Sequence, residues 1–179
     1  MNENTPPNPQ QVRSIRRFSC EQEWLATKLP IQILRLPGIY GPRRSAFESL
    51  LNGTTKLIDK PGQVFSRIHV DDIAGAVLFL INLYSQGKNP SVVNIADNLP
   101  TNNLEVITFA AKLAKKSLPK TIPFDIAKNT MSPMALSFWQ ENRKVSNKIL
   151  CTDLGYSLIH HDYKSGLKDC FFQLNQSIA

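Results

Sequence analysis

The chain has too few cysteines for a disulfide framework and none of the spacing a zinc knuckle needs. Cys20, Cys151 and Cys170 are far apart, odd in number and without a CxxC pair, so reduced, buried thiols are expected. Long hydrophobic runs are missing too. The longest, AVLFLI at 76–81, falls far short of the ~20 apolar residues a bilayer-spanning helix requires. The first residues, MNENTPPNPQQ, are polar and proline-punctuated and lack a secretory pattern, so a cytoplasmic address is expected. No internal repeat or low-complexity tract occurs, and nothing in the composition suggests collagen, coiled coil or wholesale disorder.

What is present is an ordinary globular composition, 42% hydrophobic over 179 residues, with a formal charge of +7. That length supports one body with a real core. The positive charge favours anionic ligands, but it is spread along the chain. Only Arg13, Arg16 and Arg17 cluster tightly, and no aromatic residues interleave with them as a stacking platform for bases requires. Nucleic acid is therefore not the expected partner.

Residues 1–10 read as an extended lead-in, because Pro6, Pro7 and Pro9 remove donors and push their neighbours out of helical angles. A helix follows from Gln11 to about Lys28, with Ile15, Phe18, Gln22 and Leu25 on one face and Pro30 as its stop. The apolar stretch 31–36 suits a buried parallel strand, and 37–44 is a turn-rich loop. A short helix is expected from Ser45 to Leu51, closed by Asn52 and Gly53. Strands are expected at 63–69 and 91–96. Between them Asp71 or Asp72 caps a helix on which Ile73, Ala76, Val77, Leu80, Ile81 and Tyr84 recur at helical spacing. Asn102 and Glu105 form a capping-box signature for a helix burying Leu104, Ile107, Thr108 and Ala111. Residues 117–135 form an irregular, proline-rich excursion, with short helices expected near 134–140 and 146–150. Tyr163, Leu167, Cys170, Phe171 and Leu174 predict an amphipathic C-terminal helix.

Four stretches, in this order and spacing, carry a resemblance: LRLPGIYGP at 34–42, SRIHVDDIAGA at 66–76, VVNIA at 92–96, and a run from Asn147 through Leu154, Gly155 and Tyr156 to Gly166 and Leu167. Together they resemble the distal half of the NAD(P)-dependent epimerase/dehydratases, the extended short-chain dehydrogenase/reductases, over about residues 5–167. The resemblance implies an α/β fold: the distal part of a Rossmann-like doubly wound parallel sheet plus a small C-terminal α/β substrate lobe. Residues 11–100 would be the Rossmann-like part with substrate-side loops, and 101–179 the C-terminal lobe.

The family's N-terminal βαβ units carry GxxGxxG, whose glycines let the backbone approach the cofactor pyrophosphate at a helix N-terminus. No such motif occurs in this sequence; GIYG at 38–41 comes nearest but follows the wrong strand and leads into Pro42, so it reads as a turn. The resemblance implies that on the order of a hundred residues precede Met1 in an intact relative. NAD or NADP would be the cofactor of such a relative, without tight binding by this chain alone. The family's catalytic tyrosine and lysine stand four residues apart on one helix, followed by a glutamate. Matching that glutamate to Glu21 places Arg13 and Arg17 in those two positions. Arginine stays protonated and cannot act as a general base, so no catalytic residue is assigned.

Pro37, Gly38 and Ile39 fall where relatives place the loop over the nicotinamide end of the cofactor. Arg43, Arg67 and His69 are the substrate-side candidates: Arg43 as a forked donor for a phosphorylated or nucleotide-linked small molecule, and Arg67 because relatives place a phosphate-contacting arginine nearby, where Phe65 stands here. No metal site is expected. His69 beside Asp71 and Asp72 reads as a strand end followed by a helix cap, and His160 and His161 beside Asp162 cannot by themselves close a tetrahedral site. The expected function is that of a partial NAD(P)-dependent epimerase/dehydratase-like oxidoreductase, inactive alone. Two alternatives stand beside it: a non-catalytic protein, homo-oligomeric or covered by a partner at its exposed sheet edge, and an anion or nucleic-acid binder through Arg13, Arg16 and Arg17.

Overall fold

The computed structural model describes residues 1–176. Short strands alternate with helices, as the expected α/β class requires. Helix α1 (Val12–Ala26) leads into β1 (Ile33–Arg35) and β2 (Gly38–Tyr40); α2 (Ala46–Leu51), β3 (Leu57–Asp59) and β4 (Arg67–His69) follow. Then come α3 (Val70–Ser85), β5 (Val92–Asn94), α4 (Asn103–Ala114) and β6 (Thr121–Pro123). Helices α5 (Phe124–Ala127), α6 (Pro133–Gln140) and α7 (Tyr163–Gln176) follow, with short helical turns at Lys128–Thr130 and Ile149–Asp153 between them. All three strand pairs, β1 with β5, β2 with β4 and β3 with β6, are parallel. Parallel neighbours need a long crossover between them, which is why no pair joins consecutive strands.

The sequence left GIY at 38–40 as a turn, but it is a strand, with Gly38 N–H donating to Ser66 O at 3.1 Å before the ladder with β4 begins. Pairs β3 and β6 also went unread, because three apolar residues carry too little periodicity to separate strand from loop.

Two cores form. One gathers Phe47 and Leu50 of α2, Val106, Ala110 and Ala111 of α4, and Tyr163, Leu167 and Cys170 of α7 around Tyr40. The other packs Ala76, Leu80 and Leu83 of α3 on Ile68, Val93 and Ile95, with Leu150, Tyr156 and Leu158 beneath. The buried stripe of α3 is thus turned from the one the spacing suggests. Ile81 and Tyr84 remain 60% and 48% exposed, while Leu83 is buried. On α4 likewise Val106 and Ala110 are buried and Thr108 is exposed. Tertiary contacts on both flanks of a helix widen or rotate its buried face in a way one-dimensional spacing does not register. On α7 the expected Tyr163, Leu167 and Cys170 are buried.

Helix α1 buries no residue, although Phe18 and Leu25 are half-covered. A bidentate pair fastens it to β1, the Arg35 Nε and Nη2 donating to one Glu21 carboxylate oxygen at 3.1 and 2.7 Å. The thiol of Cys20 on this helix is exposed rather than buried, because α1 lies at the surface and buries none of its residues. The lead-in is tied down at Glu3, whose carboxylate accepts the Asn94 N–H at 2.9 Å.

Gly166 marks the tightest contact between α7 and the strands: a Cβ there would lie 2.1 Å from Tyr40 Oη. Tyr40 is only 8% exposed and cannot swing clear. Gly166→Ala is therefore expected to cost about 1–3 kcal/mol through overpacking, read as a lower urea midpoint at unchanged slope; an unchanged midpoint would mean α7 yields freely.

Candidate functional site

A cavity of about 260 Å³ opens between α2, α4 and α7, where the ends of β2 and β4 meet the helices. Its polar lining comes from Tyr40, Arg44, Ser45, Ser49, Arg67, Asn103 and Tyr163. Local rules put each of these in place. Ser45 begins α2 in a capping box, its N–H donating to the Glu48 carboxylate at 2.6 Å while its hydroxyl accepts from Phe47 N–H. Asn102 caps α4 by accepting the Glu105 N–H at 2.8 Å, which sets Asn103 at the cavity rim.

Of the candidate residues, Arg67 lines the cavity and Arg43 does not. Arg43 sits at φ 63, the left-handed region, inside a tight turn in which Arg44 N–H donates to Gly41 O at 3.0 Å. That turn leaves Arg43 exposed and swings its neighbour Arg44 onto the cavity wall; adjacent arginines look alike in sequence, and only the turn geometry separates them. Pro37 lies between β1 and β2, and Gly38 and Ile39 begin β2 itself, with Gly38 exposed. Arg13 and Arg17 lie exposed on α1, the Arg13 guanidinium 4.8 Å above the Phe138 ring. His69 is fully buried behind the cavity wall, its ring edge-on to Tyr40 at 5.2 Å.

Arg67 spends one nitrogen on the backbone: Nη1 donates to Phe65 O at 2.9 Å and to Thr101 O at 2.8 Å. Burial works against its charge, and the Asp97 carboxylate works for it. Asp97 was not singled out in the sequence. It is 2% exposed, its Oδ1 accepts the Leu99 N–H at 3.1 Å, and its Oδ2 has no hydrogen-bond partner. Burial pushes its carboxyl up to about 7, against the opposing pull of the Leu99 N–H and of Arg67. Burial also raises the Tyr40 and Tyr163 phenols, so both stay protonated at neutral pH and present O–H groups. The arrangement is a cationic, hydroxyl-rich pocket, with the buried Asp97 carboxyl, its proton held more tightly than usual by burial, close to Arg67 outside the lining.

Behind it lies a second group of polar side chains. The α3 cap is neither Asp71 nor Asp72: the His69 ring Nδ1 accepts the Asp71 N–H at 3.3 Å. Asp72 instead is fully buried, its two carboxylate oxygens accepting the backbone N–H groups of Ile159 at 2.7 Å and His160 at 3.0 Å. Two adjacent acids are indistinguishable as caps in sequence; the loop at 159–160, some ninety residues on, decides between them. This fastening brings the His160 ring against His69, centroids 4.1 Å apart. Burial, and then His160, lower the His69 pKa, while Asp71 and Asp169 oppose them.

No protein-family model matches the chain, and no curated protein matches it. Solved structures do. A functionally unknown conserved protein from Silicibacter pomeroyi is 38% identical, covering 97% of this chain and 60% of its own length at a TM-score of 0.87. A human epimerase family protein solved with NADPH superposes at 0.78 with 17% identity, over 96% of this chain and 59% of its own. The dTDP-glucose 4,6-dehydratase of Bacillus anthracis, solved with NAD, reaches 0.69 at 18% identity, over 97% and 55%. The fold is that of the NAD-dependent epimerase/dehydratases.

This chain spans only 55–60% of the length of those solved structures. It corresponds to their C-terminal part, as the resemblance implied. No helix among the described residues is long and apolar enough to cross a membrane. The dinucleotide belongs to the solved neighbours, and this sequence contains no GxxGxxG with which to cradle its pyrophosphate.

Proposed function

We propose that this chain is the substrate side of an epimerase/dehydratase-like protein, holding a phosphorylated small molecule and contributing little to dinucleotide binding. One observation carries the reading: two arginines, Arg44 and Arg67, converge with two protonated tyrosines on one cavity. Forked guanidinium donors suit phosphate oxygens. At about 260 Å³ the cavity holds a phosphorylated head group, free or nucleotide-linked, rather than a whole dinucleotide. Arg13 and Arg17 cannot take or give a proton, so turnover by this chain alone is not expected.

Calorimetric titration separates the outcomes. UDP-glucose is expected to bind, with affinity about 10–100-fold weaker in Arg67→Ala, the value of a lost charged hydrogen bond, and weaker also in the exposed variant Arg44→Ala, whose fold is not at issue. NAD and NADP are expected not to saturate at millimolar concentration. Micromolar dinucleotide binding, or UDP-glucose binding indifferent to both arginine changes, would overturn the reading.

A second reading has its own observation. Helix α1 exposes Val12, Ile15 and Trp24 at 66%, 46% and 57%, and among the described residues β1 has a strand partner on one edge only. A parallel strand and helix supplied by another polypeptide would cover both. Light scattering on the purified chain checks this: a complex or oligomer that Trp24→Glu dissolves supports it, and a monomer at all concentrations removes the homo-oligomeric form.

A further inference from the structure

Outside the cavity, four side chains from three distant segments converge: His69 at the end of β4, Asp71 in the first turn of α3, His160 in the loop before α7, and Asp169 on α7. One donor atom from each lies within 4.8 Å of the others. We infer that this cluster is a binding site for a divalent first-row transition metal, of which zinc is the best fit.

The donor set argues for that class. Two imidazoles and two carboxylates suit zinc and its neighbours, whereas magnesium and calcium prefer all-oxygen shells. The spacing argues for it as well. Asp71 Oδ2 lies 3.5 Å from His69 Nδ1 and 3.6 Å from His160 Nε2, and Asp169 Oδ2 lies 3.8 Å from His69 Nε2. Ligand atoms around a tetrahedral zinc at ~2.0–2.1 Å stand roughly 3.3 Å apart. The pairs through Asp71 need only a small contraction, and because one ring nitrogen of His69 serves as the ligand, the remaining separations, all within 4.8 Å, close as the side chains turn onto the ion.

An independent observation separates this from a merely structural cluster. His160 is 8% exposed and its Nε2 has no hydrogen-bond partner among the described residues. A buried ring nitrogen without a hydrogen bond is costly unless something fills the place it faces, and it stands 3.6 Å from Asp71 Oδ2. The supporting contacts are those of a built site: Asp72 holds the backbone at Ile159 and His160 through two hydrogen bonds and so fixes where the ring sits. The Asp71 side chain is 49% exposed and Asp169 27%, which leaves a path of entry from solvent. His69 gives up a weak cap on metal binding, because its Nδ1 now accepts the Asp71 N–H at 3.3 Å. Either Nδ1 becomes the ligand, or the proton moves to Nδ1 and Nε2 becomes it.

The test uses the whole chain, stripped with chelator, titrated with zinc against a chromogenic competitor and with cobalt(II) followed by its visible absorption. One equivalent is expected to bind with tetrahedral cobalt bands. His160→Ala and Asp169→Asn are each expected to weaken zinc by at least 10–100-fold, the loss already seen when outer-shell partners are removed. His161→Ala, exposed and next in sequence, is expected to bind as the unaltered chain does. Asp169→Asn keeps the shape of the side chain, so its result stands even if His160→Ala unfolds. No zinc binding at micromolar concentration, or binding unchanged in both cluster variants, overturns the inference.

Discussion

Asp72→Ala is expected to lose about 3–5 kcal/mol of stability, the largest effect of any single change in this chain. The carboxylate is wholly buried and satisfies two backbone donors, Ile159 N–H at 2.7 Å and His160 N–H at 3.0 Å. Without it both N–H groups remain buried and unpaired, at about 1–3 kcal/mol each. Domains of this size are stable by only about 5–15 kcal/mol, so a substantial share is at stake. The contacts are long-range: they pin the start of α3 to the loop entering α7, and their loss frees both elements. Asp72→Asn keeps one acceptor oxygen and is expected to cost less than half as much. Urea unfolding at neutral pH followed by circular dichroism checks both, and a shift below 1 kcal/mol for the alanine variant would show that the loop is held by something else.

The second large effect depends on pH. Asp97 is ordinarily ionised above 3.8, but in the folded chain burial, aided by the negative charges of Asp162 and Asp72, pushes its carboxyl up to about 7. The sign follows from where the proton resides. Below pH ~4 the group is protonated in both states and contributes nothing. As pH rises towards 7 the unfolded chain releases the proton and the folded chain keeps it, so stability falls across that window and levels off above it. At about 1.4 kcal/mol per unit, the accumulated loss is on the order of 4 kcal/mol. Asp97→Asn does not titrate and can still accept the Leu99 N–H. Its melting temperature is expected to match that of the unaltered chain near pH 4 and to exceed it increasingly up to pH 8. A constant difference across pH would mean that Asp97 ionises normally in the folded state.

Much of the architecture was legible in the chain itself. The alternation of short apolar segments with amphipathic helices, Pro30 beyond the end of α1, and Gly53, which takes φ 67 after α2, act within a few residues, so sequence reports them directly. The four motif stretches placed the chain in its fold, and superposition on the solved epimerase and dehydratase structures agrees. Missing glycines and the arginines at 13 and 17 are likewise properties of the sequence and need no coordinates.

The site was legible only in part. Arg67 could be nominated, but Tyr40, Arg44, Asn103 and Tyr163 belong to four separate elements, and no spacing rule joins them. Asp97 looks in sequence like any loop aspartate; its unusual proton affinity comes from burial, a property of the packed molecule alone. The histidines show the same limit. His69 and His160 stand 91 positions apart, each with a sufficient local explanation, and only the Asp72 contacts bring their rings to 4.1 Å.

By itself, then, the sequence determined where the principal helices and the strands β1, β4 and β5 lie, that Asn102 caps α4, and what chemistry arginine forbids at positions 13 and 17. The tertiary structure decided which face of α3 and α4 is buried, which of two neighbouring arginines meets the cavity, and which of two neighbouring aspartates is a fastener. The physical reason is range: capping, turn and helix propensities act over three or four residues of the chain, whereas desolvation and side-chain convergence depend on segments that meet only when the core has closed.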